Sequence, residues 1–177
     1  MGSAFHDLHA PGRLLMLPNA WDAGSARLIE ECGAAAIATT SAGLAWARGY
    51  PDGNALPPSV LARAVAEITR VVRIPVSADV EGGYSNDLAE VAEVIARVID
   101  AGAVGINLED GADPPDLLCA KIEVAKRAGA RAGVARFVNA RTHTYLRGLV
   151  PVERAVEASV ERAARYLRKT EPLNPAS

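Results

Sequence analysis

Apolar positions along the chain fall into short solid runs that alternate with longer stretches of helical period. Leu14 to Leu17 reads as a strand closed by Pro18, and Asp22 to Cys32 as a helix ended by Gly33. Ala35 to Thr39 predicts a second strand, and Ser59 to Val72 a helix entered through Pro57-Pro58. Pro75 to Asp79 is a third strand. In Asp87 to Ala101 the residues Leu88, Val91, Val94, Ile95, Val98 and Ile99 share one helical face, with Gly102 as the stop. Val104 to Leu108 predicts a fourth strand, and Asp116 to Ala128 a helix ended by Gly129. Arg136 to Ala140 is a fifth strand, and Val152 to Leu167 a last helix. The result is five β-then-α units with no linker between them.

Near-continuous apolar strands joined by amphipathic helices imply an α/β chain with a parallel sheet and right-handed crossovers. Two architectures satisfy this pattern: an open doubly wound sheet, or part of a barrel. In either one, ligands sit at the carboxyl ends of the strands. At 177 residues the chain is short of the roughly 250 of a complete (β/α)8 barrel.

Composition narrows the function classes. Half of the residues are hydrophobic, 23% are charged, and the formal net charge is −2, so there is no electrostatic case for nucleic acid or an anionic membrane. No apolar run nears the roughly 20 residues of a membrane span, and the N-terminus lacks a basic leader region. Cys32 and Cys119 are isolated, which fits reduced thiols and a cytoplasmic setting.

The strand ends carry the chemistry. Asp79 and Glu81 lie two apart and point to one face, Glu109-Asp110 closes the fourth strand, and Arg141 closes the fifth. Asp52 lies in the loop after the second strand, within Tyr50-Pro51-Asp52-Gly53. Carboxylates that converge without His or Cys describe a hard-cation site, for Mg²⁺ or Mn²⁺, held partly through water. Arg141 beside them supplies a planar fork for a carboxylate or phosphonate. A plainer role exists for some acids: Asp110 or Asp113 as caps of the helix near 116, with Asn86 or Ser85 capping the helix near 87. The segment Thr39 to Leu44 reads as a loop whose hydroxyls and N–H groups suit an anionic oxygen. Trp21 and Trp46 suit packing or pocket walls rather than catalysis, and His6 and His9 are expected to face solvent.

These residues occur in ordered motifs. Leu17-Pro18-Asn19-Ala20-Trp21-Asp22, Thr40-Ser41-Ala42-Gly43, Pro51-Asp52-Gly53, Asp79-Val80-Glu81-Gly82-Gly83-Tyr84, Gly105-Ile106-Asn107-Leu108-Glu109-Asp110 and Asn139-Ala140-Arg141-Thr142 together resemble the isocitrate lyase/phosphoenolpyruvate mutase superfamily, nearest its small phosphonomutase-like members. The resemblance covers roughly residues 5 to 167. It implies a (β/α)8 TIM-barrel fold, here incomplete with about five units over residues 1–167 and a polar tail over 168–177. It also implies a Mg²⁺-dependent lyase or mutase that makes or breaks a C–C or P–C bond of a small 2-oxo acid, oxaloacetate- or phosphonopyruvate-like, through an enolate. On this pattern Asp79, Glu81, Glu109 and Asp52 hold the cation. Ser41, Ala42, Gly43, Trp21 and Arg141 bind substrate, and Arg141 with Asp52 serves catalysis.

Four departures accompany the resemblance, one being that the mutase-type gating-loop residues are not identifiable. The Lys-Lys/Arg-Cys-Gly-His loop of the lyases is replaced after Asp110 by Gly111-Ala112-Asp113-Pro114-Pro115, which argues against isocitrate-type cleavage. His143 stands where the family commonly has an acid after Arg-Thr. The polar ending implies that the last three β/α units and an exchanged C-terminal helix are missing, which leaves the first and fifth strands as edges. Such a barrel fragment is expected to be a homo-oligomer, and an inactive interaction module is the alternative to an enzyme.

Overall fold

The computed structural model describes residues 2–10, 12, 14–133 and 137–170. A short helix α1 (Gly2–Asp7) is followed by β1 (Asn19–Ala20), α2 (Ala23–Glu31), β2 (Ile37–Thr39), α3 (Ser41–Trp46) and α4 (Pro58–Val71). Next come β3 (Val76–Asp79), α5 (Leu88–Asp100), β4 (Gly105–Glu109), α6 (Pro115–Arg131) and β5 (Phe137–Arg141). A single 3₁₀ turn (Val152–Arg154) then leads into α7 (Ala155–Thr170).

All five strands are parallel and lie side by side in chain order. That order decides between the two architectures. A doubly wound sheet reverses direction at a switch point and carries helices on both faces. Here every crossover steps the same way, so right-handed connections place the crossover helices on one face, as in a barrel wall. The fold is therefore of the (β/α)8 barrel type, with five units present among the described residues.

The convex face forms the main core. Ile37, Val76, Ala78, Ile106, Leu108 and Val138 of the strands meet Leu61, Val65 and Ile68 of α4, Val91, Ile95 and Val98 of α5, and Leu118 and Ile122 of α6. The concave face is layered by register. Ser77, Gly105 and Phe137 form the lowest layer, Asp79, Asn107 and Asn139 the next, and Glu109 pairs with Arg141 above them. Phe5 of α1 is fully buried and plugs the bottom, edge-on to Phe137 with ring centroids 5.5 Å apart. Gly105 makes this possible, because a Cβ there would stand 2.7 Å from Phe5 Cε1 and 3.1 Å from Ser77 Oγ.

Several sequence expectations shift. Leu14 to Leu17 is not a strand; β1 begins only after Pro18, where Ala38 N–H donates to the Pro18 carbonyl (3.0 Å) and Asn19 pairs with Ala38. Extending that register upstream would set Leu14 against Gly33, which sits at φ 87° in the turn closing α2, so the ladder has no partner strand there. Thr39 to Leu44 is not a loop, since Ser41 opens helix α3 with Thr40 as its N-cap. Gly129 does not stop α6, which runs to Arg131 with Gly129 buried inside it. Asp87, not Asn86 or Ser85, caps α5 by accepting from Ala89 N–H (2.7 Å), and α6 starts at Pro114-Pro115 without a side-chain cap. His9 is half-buried and stacks on Phe137 with centroids 3.8 Å apart, whereas His6 is exposed as expected. α7 continues through Thr170, so the expected tail begins inside a helix, and its residues 171–177 lie outside the described residues, as does Arg136. No helix of the described residues is long and apolar enough to cross a membrane.

Candidate active site at the carboxyl rim of the sheet

The strand termini bring Asp79, Glu81, Glu109 and Arg141 together above the concave face, over a cavity of about 320 Å³ that Asp79, Asn107, Asn139 and Arg141 help to line. Asp79 is 7% exposed and lies at the centre. Its Oδ1 accepts from Glu81 N–H (3.1 Å) and Asn107 Nδ2 (3.1 Å), and its Oδ2 accepts from Ser41 N–H (3.3 Å). Its own N–H donates to Thr39 Oγ1 (2.8 Å), which ties β3 to the end of β2.

Glu81 is held in an unusual backbone. It has φ 49°, and the other non-glycine residues at positive φ among those described are Asn54 (60°) and Tyr84 (64°). Both of them bind the Glu81 carboxylate: Asn54 N–H donates to Oε2, and Tyr84 OH donates to Oε1 (3.1 Å). Strain of this kind persists only where the surroundings over-determine it, and it collects at functional sites. Burial pushes the Glu81 carboxyl above the ordinary range against those two donors, and the negative charges of Asp52 and Asp79 push it further. Burial and the Glu81 charge likewise raise the Tyr84 hydroxyl, so it stays a donor. Lys121 on α6, which no motif singles out, is 3% exposed and pins the same loop, donating to the Gly82 carbonyl (2.7 Å) and Asn86 Oδ1 (2.9 Å).

Glu109 also titrates high, chiefly from burial and with a contribution from Asp79, although His143 and Arg141 pull the other way. Arg141 Nη1 stands 3.3 Å from Glu109 Oε2 and 3.9 Å from Asp79 Oδ2, and its side chain remains 44% exposed. One guanidinium thus faces an excess of carboxylates. His143 is 5% exposed; its Nε2 lies 3.1 Å from Glu109 Oε2 and 3.4 Å from Arg141 Nη2, so it donates to the first or accepts from the second according to its tautomer. Its Nδ1 is buried with no hydrogen-bond partner among the described residues.

The remaining expected residues surround this cluster. Asp52 is exposed, within electrostatic reach of Glu81. Ser41, Ala42 and Gly43 form the first turn of α3, where Ser41 N–H is already engaged by Asp79 and Gly43 N–H faces Thr40 Oγ1 (3.4 Å). Trp21 is 45% exposed and packs against Gly43, where a Cβ would meet Trp21 Cβ at 3.1 Å. Cys119 does not reach the site; it lies in α6 against the Arg165 carbonyl of α7. Asp110 turns away from the rim as well and accepts from His143 N–H, Arg162 and Tyr166.

The donor set is all oxygen at the acidic positions, with two carboxyls raised chiefly by burial and further by neighbouring carboxylates, and this fits a hard divalent cation. Among the described residues no three His, Cys, Asp or Glu side chains are disposed to chelate an ion directly.

Comparison with known proteins adds four findings. A family model described as phosphoenolpyruvate phosphomutase matches residues 5–168. An uncharacterized protein of Mycobacterium tuberculosis is 36% identical over 171 residues, which cover 93% of this chain and 61% of the relative. The crystal structure of a candidate phosphonomutase from Burkholderia cenocepacia superposes with a TM-score of 0.88 at 39% identity, over 95% of this chain and 71% of that one. The phosphonopyruvate hydrolase structure solved with oxalate and Mg²⁺ superposes with a TM-score of 0.83 at 26% identity, over 95% and 59%. The chain thus spans about three fifths of the curated relative's length.

Proposed function

Since the chain belongs to the phosphoenolpyruvate phosphomutase family, we propose that it is a Mg²⁺-dependent enzyme that cleaves a C–C or P–C bond of a small 2-oxo acid such as oxaloacetate or phosphonopyruvate. The observation that carries this reading is the placement of Asp79 and Glu109 beside Arg141, with the Glu81 carboxylate within electrostatic reach of Asp79, at the strand ends of a barrel-type sheet. Asp79, Glu81, Glu109 and Asp52 would hold the cation, in part through water. When bound, the cation supplies positive charge at the 2-oxo oxygen, where the electron pair of the breaking bond collects.

This chain's own residues do the rest. Arg141, half exposed and anchored by Glu109, offers free donors to the substrate's second acidic group. Trp21 and the first turn of α3 wall the substrate's carboxylate end, with the Ala42 and Gly43 N–H groups nearest to it. His143 fixes the relative placement of Glu109 and Arg141, the role an acid would otherwise fill. The turn from Gly111 to Pro114 and the remote placement of Cys119 leave no thiol at the site, which favours oxaloacetate- or phosphonopyruvate-like substrates over isocitrate-like ones. The phosphonopyruvate hydrolase neighbour, solved with oxalate and Mg²⁺, supports the same choice.

The test is release of pyruvate from oxaloacetate and from phosphonopyruvate in parallel, each with Mg²⁺ and each against the same Mg²⁺ without protein. Pyruvate should form above the metal's own background with at least one substrate, and chelation by EDTA should abolish the excess. Rates equal to background with both substrates would reject the proposal.

A further inference from the structure

Asparagine is depleted in strand interiors, yet Asn107 and Asn139 sit in register on adjacent strands, facing the cavity beside Asp79. Their side chains form a directed chain across three strands. Asn139 Nδ2 donates to Asn107 Oδ1 (2.6 Å), and Asn107 Nδ2 donates to Asp79 Oδ1 (3.1 Å). The first bond sets the second: with its oxygen committed to Asn139, the Asn107 amide presents only N–H to Asp79. Asp79 Oδ1 then carries two donors, since Glu81 N–H also reaches it, while Oδ2 receives only the longer contact from Ser41 N–H and faces Arg141.

We infer that Asn107 and Asn139 are positioning residues that act as a relay on Asp79, saturating Oδ1 and turning Oδ2 toward the cation. The inference rests on the cation site proposed above and goes beyond it, because among the described residues Asp79 is the one carboxylate that either amide binds, and Asn139 reaches it through Asn107. Asn139 acts only through Asn107. Hydrogen bonds of this outer kind commonly change metal affinity by about 10- to 100-fold when removed.

The experiment is a double-mutant cycle on Mn²⁺ affinity, read by electron paramagnetic resonance of free Mn²⁺, using the full chain and its variants Asn107→Leu, Asn139→Leu and the double variant. Asn107→Leu should weaken binding about tenfold or more. Asn139→Leu should weaken it several-fold although Asn139 touches no carboxylate among the described residues. The double variant should be no weaker than Asn107→Leu alone, because one relay has been broken twice. Asn139 lies at an exposed position, so its variant keeps the test open even where Asn107→Leu unfolds, as a thermal melt would reveal. Wild-type affinity in both single variants, or losses that simply add, would overturn the relay while leaving the cation site in place. No saturable Mn²⁺ binding by the unmutated chain would overturn the cation site and the relay together.

Discussion

Asp79→Ala and Glu109→Ala are each expected to lower Mg²⁺-dependent pyruvate formation by at least about 100-fold without unfolding the protein. The magnitude follows from what a cation contributes to a developing oxyanion, several kcal/mol, with each 1.4 kcal/mol worth a factor of about ten in rate. Asp79 is the stronger case. It is the one carboxylate bound by backbone from β3's own extension and by α3, and by a side chain from β4, so its loss frees Ser41 N–H, Glu81 N–H and Asn107 together. Folding should survive in Glu109→Ala because that change relieves repulsion within a crowded acidic group, and Asp79→Asn, which keeps an acceptor for the three donors, is the folding control for Asp79→Ala. Glu109 already titrates high through burial and the nearby Asp79. Steady-state rates, paired with far-ultraviolet circular dichroism, decide the matter. Native spectra with an unchanged rate would remove these residues from the site.

The largest effect on stability is expected away from the rim, at Asp110. Its side chain is fully buried and accepts from His143 N–H (2.8 Å), Arg162 Nη1 (2.7 Å) and Tyr166 OH (2.7 Å). It thereby fastens α7 to the end of β4 and to the turn after β5. Asp110→Ala strands a guanidinium, a hydroxyl and an amide without their acceptor, a change that typically costs about 3–5 kcal/mol. That is a large part of the ~5–15 kcal/mol that holds a domain together, and for a chain of this size it lowers Tm by roughly 10 °C. The pH dependence has a definite sign. Burial alone would raise the Asp110 carboxyl, but hydrogen bonds from Tyr166, His143 N–H and Arg162 outweigh it and hold the group below the usual carboxylate range. A depressed folded value means that the stabilisation is complete above the unfolded value near pH 4, and fades as the pH falls through the folded one. Melting curves of the unmutated chain and Asp110→Asn should therefore be widely separated at pH 7 and converge below about pH 4. A separation that does not change with pH would show that the ionised carboxylate is not the stabilising form.

Much of this arrangement is written in local pattern. The period-3.6 stripe over Leu88 to Ile99 and the solid apolar runs ending in Asp79 and Glu109 place the third β/α unit, the fourth strand and their share of the functional rim directly. What escapes local pattern depends on partners distant in the chain. Leu14 to Leu17 has strand composition but faces the turn at Gly33, so tertiary register excludes it from the ladder. The small residues of Ser41 to Gly43 look like a turn, and only the Thr40 cap and Asp79 waiting above Ser41 N–H make them the start of a helix. Asp110 carries no sign of its role, because its partners Arg162 and Tyr166 arrive from α7, more than fifty residues later. Asn107 and Asn139 were within reach of sequence reasoning. The period of two that puts Asp79 and Glu81 on one face also puts Asn107 with Glu109 and Asn139 with Arg141.

The central claim, a divalent-cation site that is completed by a small dicarboxylate-like ligand, is tested most directly by calorimetric titration of the chain with Mg²⁺ in the presence and absence of oxalate. The account predicts saturable Mg²⁺ binding that oxalate tightens, and loss of that tightening in Arg141→Ala, whose guanidinium is the one cation paired to the site's carboxylates among the described residues. Mg²⁺ binding that is absent, or present and indifferent to oxalate, would contradict it.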